Sequence, residues 1–118
     1  MGEKLEQLQR WIDSSDNIVF FGGAGVSTES GIPDFRSGDG LYHPQFAYPP
    51  EVMLSHSFYR SHPEEFFDFY RKKLLAPGAQ PNAAHKKLAG LEAAGKLDAV
   101  VTQNIDGLYQ RAGATDVV

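Results

Sequence analysis

Residues Ile18 to Ser30 read IVFFGGAGVSTES. The first four residues are β-branched or aromatic and do not alternate with polar ones, which is typical of a strand buried on both faces. A glycine-rich turn, residues 23–30, follows at once, and a turn of this kind before a helix lets backbone N–H groups and the helix dipole meet a diphosphate. Alone, the turn is equally compatible with an ordinary strand-to-helix connection, because Thr28 stands where the dinucleotide fingerprint has its third glycine.

Periodic patterns extend on both sides of this stretch. Apolar residues at helical spacing predict an amphipathic helix over about 3–13, and further helices from 63 to about 75 and from the capping position 82 to 94. A second buried strand is predicted at 99–102, and 117–118 resembles the start of a third. Buried strands separated by helices imply right-handed crossovers, so the predicted fold class is α/β with a partial doubly wound, Rossmann-like parallel sheet.

The segment from Ser30 to Pro50 has no clear period and is rich in Gly, Pro, Asp and aromatic residues. Structureless segments of this length in a compact domain are usually functional or disordered. We therefore expect a long lid-like loop that is partly mobile in the absence of ligand.

Composition narrows the class of protein further. The chain has 118 residues, a net charge of −4 and no cysteine, which fits one domain without disulfides or a thiol nucleophile. Its Lys and Arg residues are scattered, so we expect no direct nucleic-acid partner. The longest apolar run, residues 18–21, is far too short to cross a bilayer, and the charged start does not resemble a signal peptide. These features predict a cytoplasmic protein with no membrane partner.

Two further motifs reinforce the glycine-rich turn. SGIPDFR continues it from Ser30 to Arg36, and TQNIDGL occupies Thr102 to Leu108 directly after the second predicted strand. With these motifs the chain resembles the sirtuin (Sir2) family from about residue 18 to its end, and residues 1–118 are similar to the N-terminal part of the family's NAD-binding large domain. The resemblance implies an NAD-dependent protein-lysine deacetylase that transfers the acyl group to ADP-ribose and releases nicotinamide.

The resemblance also implies which residues bind NAD. Those in the glycine-rich turn would contact the diphosphate, Phe35 and Arg36 would cover the ribose and nicotinamide end, and those in 103–106 would hold the nicotinamide ribose and carboxamide. Two of them are catalytic candidates: Asp106 as acceptor for the carboxamide N–H, and Asn104 as the residue that orders the ribose or a water. The full set is Gly23, Ala24, Gly25, Thr28, Asp34, Phe35, Arg36, Gln103, Asn104, Ile105 and Asp106.

Other functional groups of the family are expected outside this chain. The family's general base is a histidine that follows the Asn-Ile-Asp motif, and the chain ends at Val118, just before its expected position, so we expect residues 1–118 to be inactive alone. The four zinc-binding cysteines of the family's small domain are also missing, so zinc is expected only downstream. Of the histidines present, His43, His56 and His62 are expected on the surface, and His85 near the start of the helix at 82.

The sequence departs from the family pattern at two positions: Gly22 stands where many relatives carry Thr, and Tyr109 where many carry His. The Tyr-x-x-Arg motif of relatives that remove acidic acyl groups does not occur in the chain, so the expected partner is a protein or peptide with an acetylated lysine, or another uncharged acyl group. Two alternatives stay open. The chain could be a catalytically dead module that binds NAD or ADP-ribose, or an interaction fragment that associates with itself through an exposed sheet edge.

Overall fold

The computed structural model describes residues 2–34 and 48–118. The predicted loop at 30–50 lies largely outside this part of the chain, as do Phe35, Arg36 and His43. None of the helices described is long and apolar enough to cross a membrane. The elements are α1 (Gly2–Asp13), β1 (Ile18–Gly22), a 3₁₀ helix (Ala24–Ser30), α2 (Pro50–Met53), α3 (His56–Ser61), α4 (Pro63–Phe69) with a π-helical turn (Tyr70–Leu74), α5 (Ala83–Ala93), β2 (Leu97–Thr102) and α6 (Leu108–Arg111).

The two strands form a parallel sheet with helices between them in the sequence. Val19 lies opposite Ala99, and a third, isolated parallel bridge joins Val117 to Val100 on the other side of β2. The predicted α/β fold with a partial doubly wound parallel sheet is confirmed, and the third strand expected at 117–118 is present only as this isolated bridge. The pairing register slips near the start of β1, an irregularity that the sequence pattern does not predict.

The main core lies on the face of the sheet against which α5 and α6 pack. Burying a large apolar side chain contributes about 1.5–3 kcal/mol, so a few such residues carry much of the stability of a small domain. A second cluster joins α2, α3 and α4 through Met53, Phe58 and Phe69. The main cluster consists of Leu88, Leu97, Val100, Tyr109 and Ala114.

The other face of β1 is open. Val19 and Phe21 are 59% and 70% exposed, so the prediction that this strand is buried on both faces is wrong for this chain. Side chains alternate along a strand, and in the described part of the chain the helices that pack on β1 cover only the face that carries Phe20. The helix α1 is amphipathic as predicted, but its apolar stripe is also exposed: Leu5, Leu8 and Trp11.

The start of α5 is capped as the sequence predicts. The side-chain Oδ1 of Asn82 accepts the backbone N–H of Ala84 at 2.9 Å, and Nδ1 of His85 accepts the backbone N–H of Asn82 at 3.1 Å. This reciprocal capping box satisfies N–H groups that the helix itself leaves unpaired and contributes about 1 kcal/mol. The expectation that His85 packs at the start of this helix is confirmed.

The carboxylate of Glu92 joins the end of α5 to the segment that precedes the bridge at Val117. Its Oε1 accepts the backbone N–H and the hydroxyl of Thr115, both at 2.8 Å, and its Oε2 accepts the N–H of Asp116 at 3.1 Å. The backbone N–H of Thr115, then that of Asp116, favours the ionised form and lowers the pKa of Glu92 below its ordinary value of 4.5. A carboxyl group with a lower pKa in the folded state than in the unfolded state stabilises the fold when the pH is above its unfolded-state pKa. This contribution is lost as the pH falls through the folded-state pKa.

We therefore expect Glu92→Gln to lower the melting temperature at pH 7 and to have a smaller effect at pH 3, because pH 3 lies below the unfolded-state pKa of 4.5 and part of the stabilisation by the ionised group is then lost. Thermal unfolding followed by circular dichroism at both pH values measures the difference. Glu6→Gln, on exposed α1, is the matched control and should change little at either pH. An effect of Glu92→Gln that is equal at the two pH values would contradict this account.

Candidate functional site

The candidate site lies at the carboxyl ends of β1 and β2. The 3₁₀ helix Ala24–Ser30 leaves β1 after one residue, and the segment 103–107 leaves β2. Because neighbouring parallel strands end at the same edge of a sheet, the two segments face each other, in the position where open α/β sheets bind ligands. The two sequence motifs thus face one crevice, as expected from their places after the strands.

Side-chain hydrogen bonds hold the two segments together. The hydroxyl of Ser27 donates to Oδ2 of Asp106 at 2.5 Å, and Oδ1 of Asp106 accepts the backbone N–H of Leu108 at 3.0 Å. The side-chain amide of Asn104 donates to the carbonyl oxygen of Gly23 at 2.9 Å. A hydrogen bond to a carboxylate is shorter and stronger than one between neutral groups, so the contact between Ser27 and Asp106 is the firmest of these links.

The glycine-rich turn presents open backbone to the solvent. A β-carbon placed on Gly23 or Gly25 would meet no atom within 4 Å, so a ligand can approach the main chain closely at both positions. The turn leads into a 3₁₀ helix where an ordinary helix was expected, and this helix ends at Gly31, whose φ of 85° is left-handed. The hydroxyl of Thr28 donates back to the carbonyl oxygen of Gly25 at 2.9 Å.

A cavity of about 260 Å³ opens between the two segments. Its walls are mainly apolar, and its polar groups come from the two segments and from Lys73. Sites for small molecules commonly combine apolar walls with a few fixed polar groups, and this cavity has that composition. The described residues that line it are Ala24, Ser27, Ile32, Pro33, Leu54, Lys73, Leu74, Gln103, Asn104, Ile105 and Asp106.

The predicted site residues divide into three groups. Five of them line the cavity: Ala24, Gln103, Asn104, Ile105 and Asp106. Three others form the neighbouring turn but are not among the described lining residues, namely Gly23, Gly25 and Thr28, and neither is the half-buried Asp34. Phe35 and Arg36 lie outside the described residues.

Sequence reasoning overlooked several residues of the site. Ser27 is only 1% exposed and bonds Asp106, and its small hydroxyl inside the turn motif was the only sequence signal for it. Asn82 was identified only as a helix cap, yet its side-chain amide also donates to the carbonyl oxygen of Val26 at 2.7 Å and to the hydroxyl of Ser30 at 3.0 Å. The start of α5 is therefore tied directly to the turn.

His85 lies behind the site and is fully buried. Because its Nδ1 accepts the N–H of Asn82, the proton of the neutral ring is on Nε2, which has no hydrogen-bond partner among the described residues. Burial lowers the pKa of His85, and the negative charge of Asp106 acts in the opposite direction. The ring packs edge-on against Tyr109, with ring centroids 4.8 Å apart, and does not belong to the described cavity wall.

Comparison with known proteins identifies relatives of this arrangement. The model of the Sir2 family matches residues 23–118. An "NAD-dependent protein deacetylase" of Clostridium acetobutylicum is 59% identical over 117 residues, which is 98% of this chain and 48% of the relative. The chain thus spans about half the length of the curated relatives it matches.

Solved structures agree with the family match. A Sir2 variant described with a deacetylated p53 peptide and 3′-O-acetyl ADP ribose has a TM-score of 0.86 and 41% identity, and covers 97% of this chain and 45% of its own. A structure described as Sir2 bound to acetylated peptide has a TM-score of 0.77 and 39% identity, and covers 97% of this chain and 43% of its own.

The link between Ser27 and Asp106 generates a prediction about stability. Ser27→Ala removes the donor to a carboxylate at a nearly fully buried position, so we expect the free energy of unfolding to fall by about 2 kcal/mol. Urea unfolding measures the change, with Ser57→Ala on an exposed part of α3 as the control. A loss no larger than that of the control would show that this hydrogen bond does not hold the two segments together.

Proposed function

The chain belongs to the Sir2 family, and we propose that the protein that carries it is an NAD-dependent protein-lysine deacetylase. The observation that carries the proposal is the meeting of the two motifs at one cavity, where Asp106 is held by Ser27 beside Gln103, Asn104 and Ile105. The family match over residues 23–118 and relatives with this activity support the same reading.

The residues present fit a bound dinucleotide. The open backbone at Gly23 and Gly25 would receive the diphosphate without steric conflict, since no side chain occupies that space. The cavity beside it would hold the nicotinamide end, with Ala24 between the two regions. When bound, NAD supplies the ribose carbon that accepts the acyl group, together with nicotinamide as the leaving group.

Asp106 and Asn104 are the proposed residues for orienting this end of the cofactor. Each oxygen of the Asp106 carboxylate already accepts one hydrogen bond, which fixes its plane and leaves further lone pairs to accept a carboxamide N–H. The amide nitrogen of Asn104 is committed to Gly23, so its side-chain oxygen is the atom that would accept from a ribose hydroxyl or a water. Prior alignment of reacting groups is a large source of rate enhancement.

The apolar part of the cavity wall has a separate role. Ile32, Leu54, Leu74 and Ile105 would exclude water from the reacting end of the cofactor and lower the local dielectric constant. Ile105 is 65% exposed, so its side chain is available to cover a ligand. Exclusion of water favours transfer of the acyl group over simple hydrolysis.

We propose that the general base is none of the described histidines; His43 lies outside the described residues. His85 is buried, has a lowered pKa and is absent from the described cavity wall, and His56 is exposed on α3. His62 stacks on Phe58, with ring centroids 4.8 Å apart, within the cluster of α2 to α4. The geometry therefore favours no described histidine for this task, and we expect residues 1–118 alone to be inactive.

The proposed substrate is a protein or peptide that carries an acetylated lysine. A Sir2 structure bound to acetylated peptide resembles this chain along almost its whole length. The absence of Tyr-x-x-Arg from the sequence favours an uncharged acyl group over an acidic one.

One observation favours a second candidate function, that of an assembling module. Val19 and Phe21 expose an apolar strand face, and Leu8 and Trp11 expose the stripe of α1. Exposed apolar surface beside a strand edge favours association with another polypeptide or a second copy. A mass in solution that rises with concentration would support this candidate, and a strictly monomeric protein would contradict it.

The enzyme proposal is tested by release of nicotinamide from NAD. We expect the protein that carries residues 1–118 to release nicotinamide only with an acetyl-lysine peptide. Asp106→Asn should reduce the rate of release about 100-fold, because an amide replaces one of the two acceptor oxygens with a donor. Asp98→Asn, on the exposed start of β2, is the matched control and should retain the wild-type rate.

A succinyl-lysine peptide of the same sequence tests the acyl group in this assay, and we expect slower release with it. Wild-type turnover by Asp106→Asn would remove Asp106 from the proposed machinery. Release that does not depend on the acylated peptide would contradict deacetylation itself.

A further inference from the structure

Tyr109 is the largest fully buried side chain in the described part of the chain, and the proposed mechanism does not use it. It is the second residue of α6 and is 1% exposed. Its ring packs against Phe20, with centroids 6.3 Å apart, and against His85. The side chain therefore runs beneath the carboxyl end of the sheet, directly below the candidate site.

The hydroxyl of Tyr109 lies against the backbone of Gly22. A β-carbon at this glycine would overlap Oη of Tyr109 and the ring edge of Phe20, and would lie 3.2 Å from Cγ2 of Val26. Gly22 is not among the glycines with positive φ, so backbone conformation does not require glycine here. The available space requires glycine at this position, because the tyrosine hydroxyl fills the volume that a side chain would need.

Gly22 is also the first member of a hydrogen-bond chain that crosses the site. Its carbonyl oxygen accepts the hydroxyl of Thr102 at 2.8 Å, and the oxygen of that hydroxyl accepts the backbone N–H of Asn104 at 3.0 Å. The amide of Asn104 returns to the carbonyl oxygen of Gly23. A displacement of Gly22 is thus transmitted to both segments that line the cavity.

We propose that Tyr109 is a positioning residue for the cofactor site and that it acts through Gly22. The hydroxyl of Tyr109 occupies the volume that a side chain at Gly22 would need. This contact sets the spacing between the glycine-rich turn and the segment 103–107. The dependence of cofactor binding on this pair rests on the proposed function.

The chemistry of the hydroxyl agrees with a packing role. Oη of Tyr109 has no hydrogen-bond partner at bonding geometry within the described residues. Burial raises the pKa of Tyr109, and the negative charge of Asp106 adds to this shift. The phenol therefore stays neutral at physiological pH, and its effect on Gly22 is steric and independent of pH.

A double-mutant cycle tests the pair in the protein as its gene encodes it. Gly22→Ala is expected to lower the melting temperature and to raise the KM for NAD about 10-fold or more, because the added carbon must displace the hydroxyl. Tyr109→Phe keeps the ring but removes the oxygen that sets this spacing, so it should raise the KM for NAD about 3-fold while changing the melting temperature little. In the double variant the KM for NAD should return to within about 3-fold of the wild type, since the half-buried ring of Phe20 can give way.

Two controls separate positioning from general destabilisation. Gly90→Ala adds a carbon that meets no atom within 4 Å at an exposed position of α5, and it should leave the KM for NAD unchanged. All variants are assayed well below their melting temperatures, and the KM for the acetyl-lysine peptide is measured in parallel. If Tyr109 positions the cofactor site, the variants change the KM for NAD much more than the KM for the peptide. If its role is only structural, the fraction of active protein falls and both KM values stay unchanged.

The outcomes are distinct. Recovery of the KM for NAD in the double variant supports the pair. Additive effects of the two changes, or a Gly22→Ala protein with wild-type KM for NAD, would overturn it while leaving the proposed function intact. A wild-type protein that neither binds nor consumes NAD would overturn the proposed function, and the positioning role with it.

Discussion

The parallel pairing of β1 with β2 determines both the connection between the strands and the position of the candidate site. Two parallel strands cannot be joined by a tight turn, so the chain must make a long crossover, which here contains α2 to α5. The same pairing brings both carboxyl ends to one edge of the sheet. The motif after β1 and the motif after β2 then face each other, although Ser27 and Asp106 are 79 positions apart.

The site and the core share residues, so neither can change independently. Asn82 caps α5 and also bonds the carbonyl oxygen of Val26 in the turn. Tyr109 completes the core beside Leu88 and Val100 while its hydroxyl limits the space at Gly22. A well-packed interior tolerates small volume changes poorly, so the geometry above the sheet depends on the packing below it.

Local and periodic features were the ones that the sequence could predict. The apolar run at 18–21 marked β1, Asn82 marked the start of α5, and the motif around Asn104 and Asp106 marked one wall of the site. These signals depend on neighbours in the sequence, on strand and helix periods, and on a resemblance carried by contiguous motifs.

Features that depend on distant partners escaped prediction. The partner of Ser27 lies on another strand end, so no local pattern identified this hydroxyl. The open face of β1 was missed because an uninterrupted apolar run does not tell which of its faces is covered. The reason for Gly22 was missed as well, since it lies in the volume of Tyr109 and leaves no mark on the backbone angles of the glycine.

A crystal structure of the protein with NAD and an acetyl-lysine peptide would show whether the two motifs bind the cofactor together. We expect the nicotinamide end in the cavity lined by Ala24, Asn104 and Ile105, with its carboxamide N–H donating to Asp106. We expect the diphosphate against the backbone at Gly23 and Gly25. A dinucleotide bound elsewhere, with Asp106 still contacted only by Ser27 and the N–H of Leu108, would contradict these expectations.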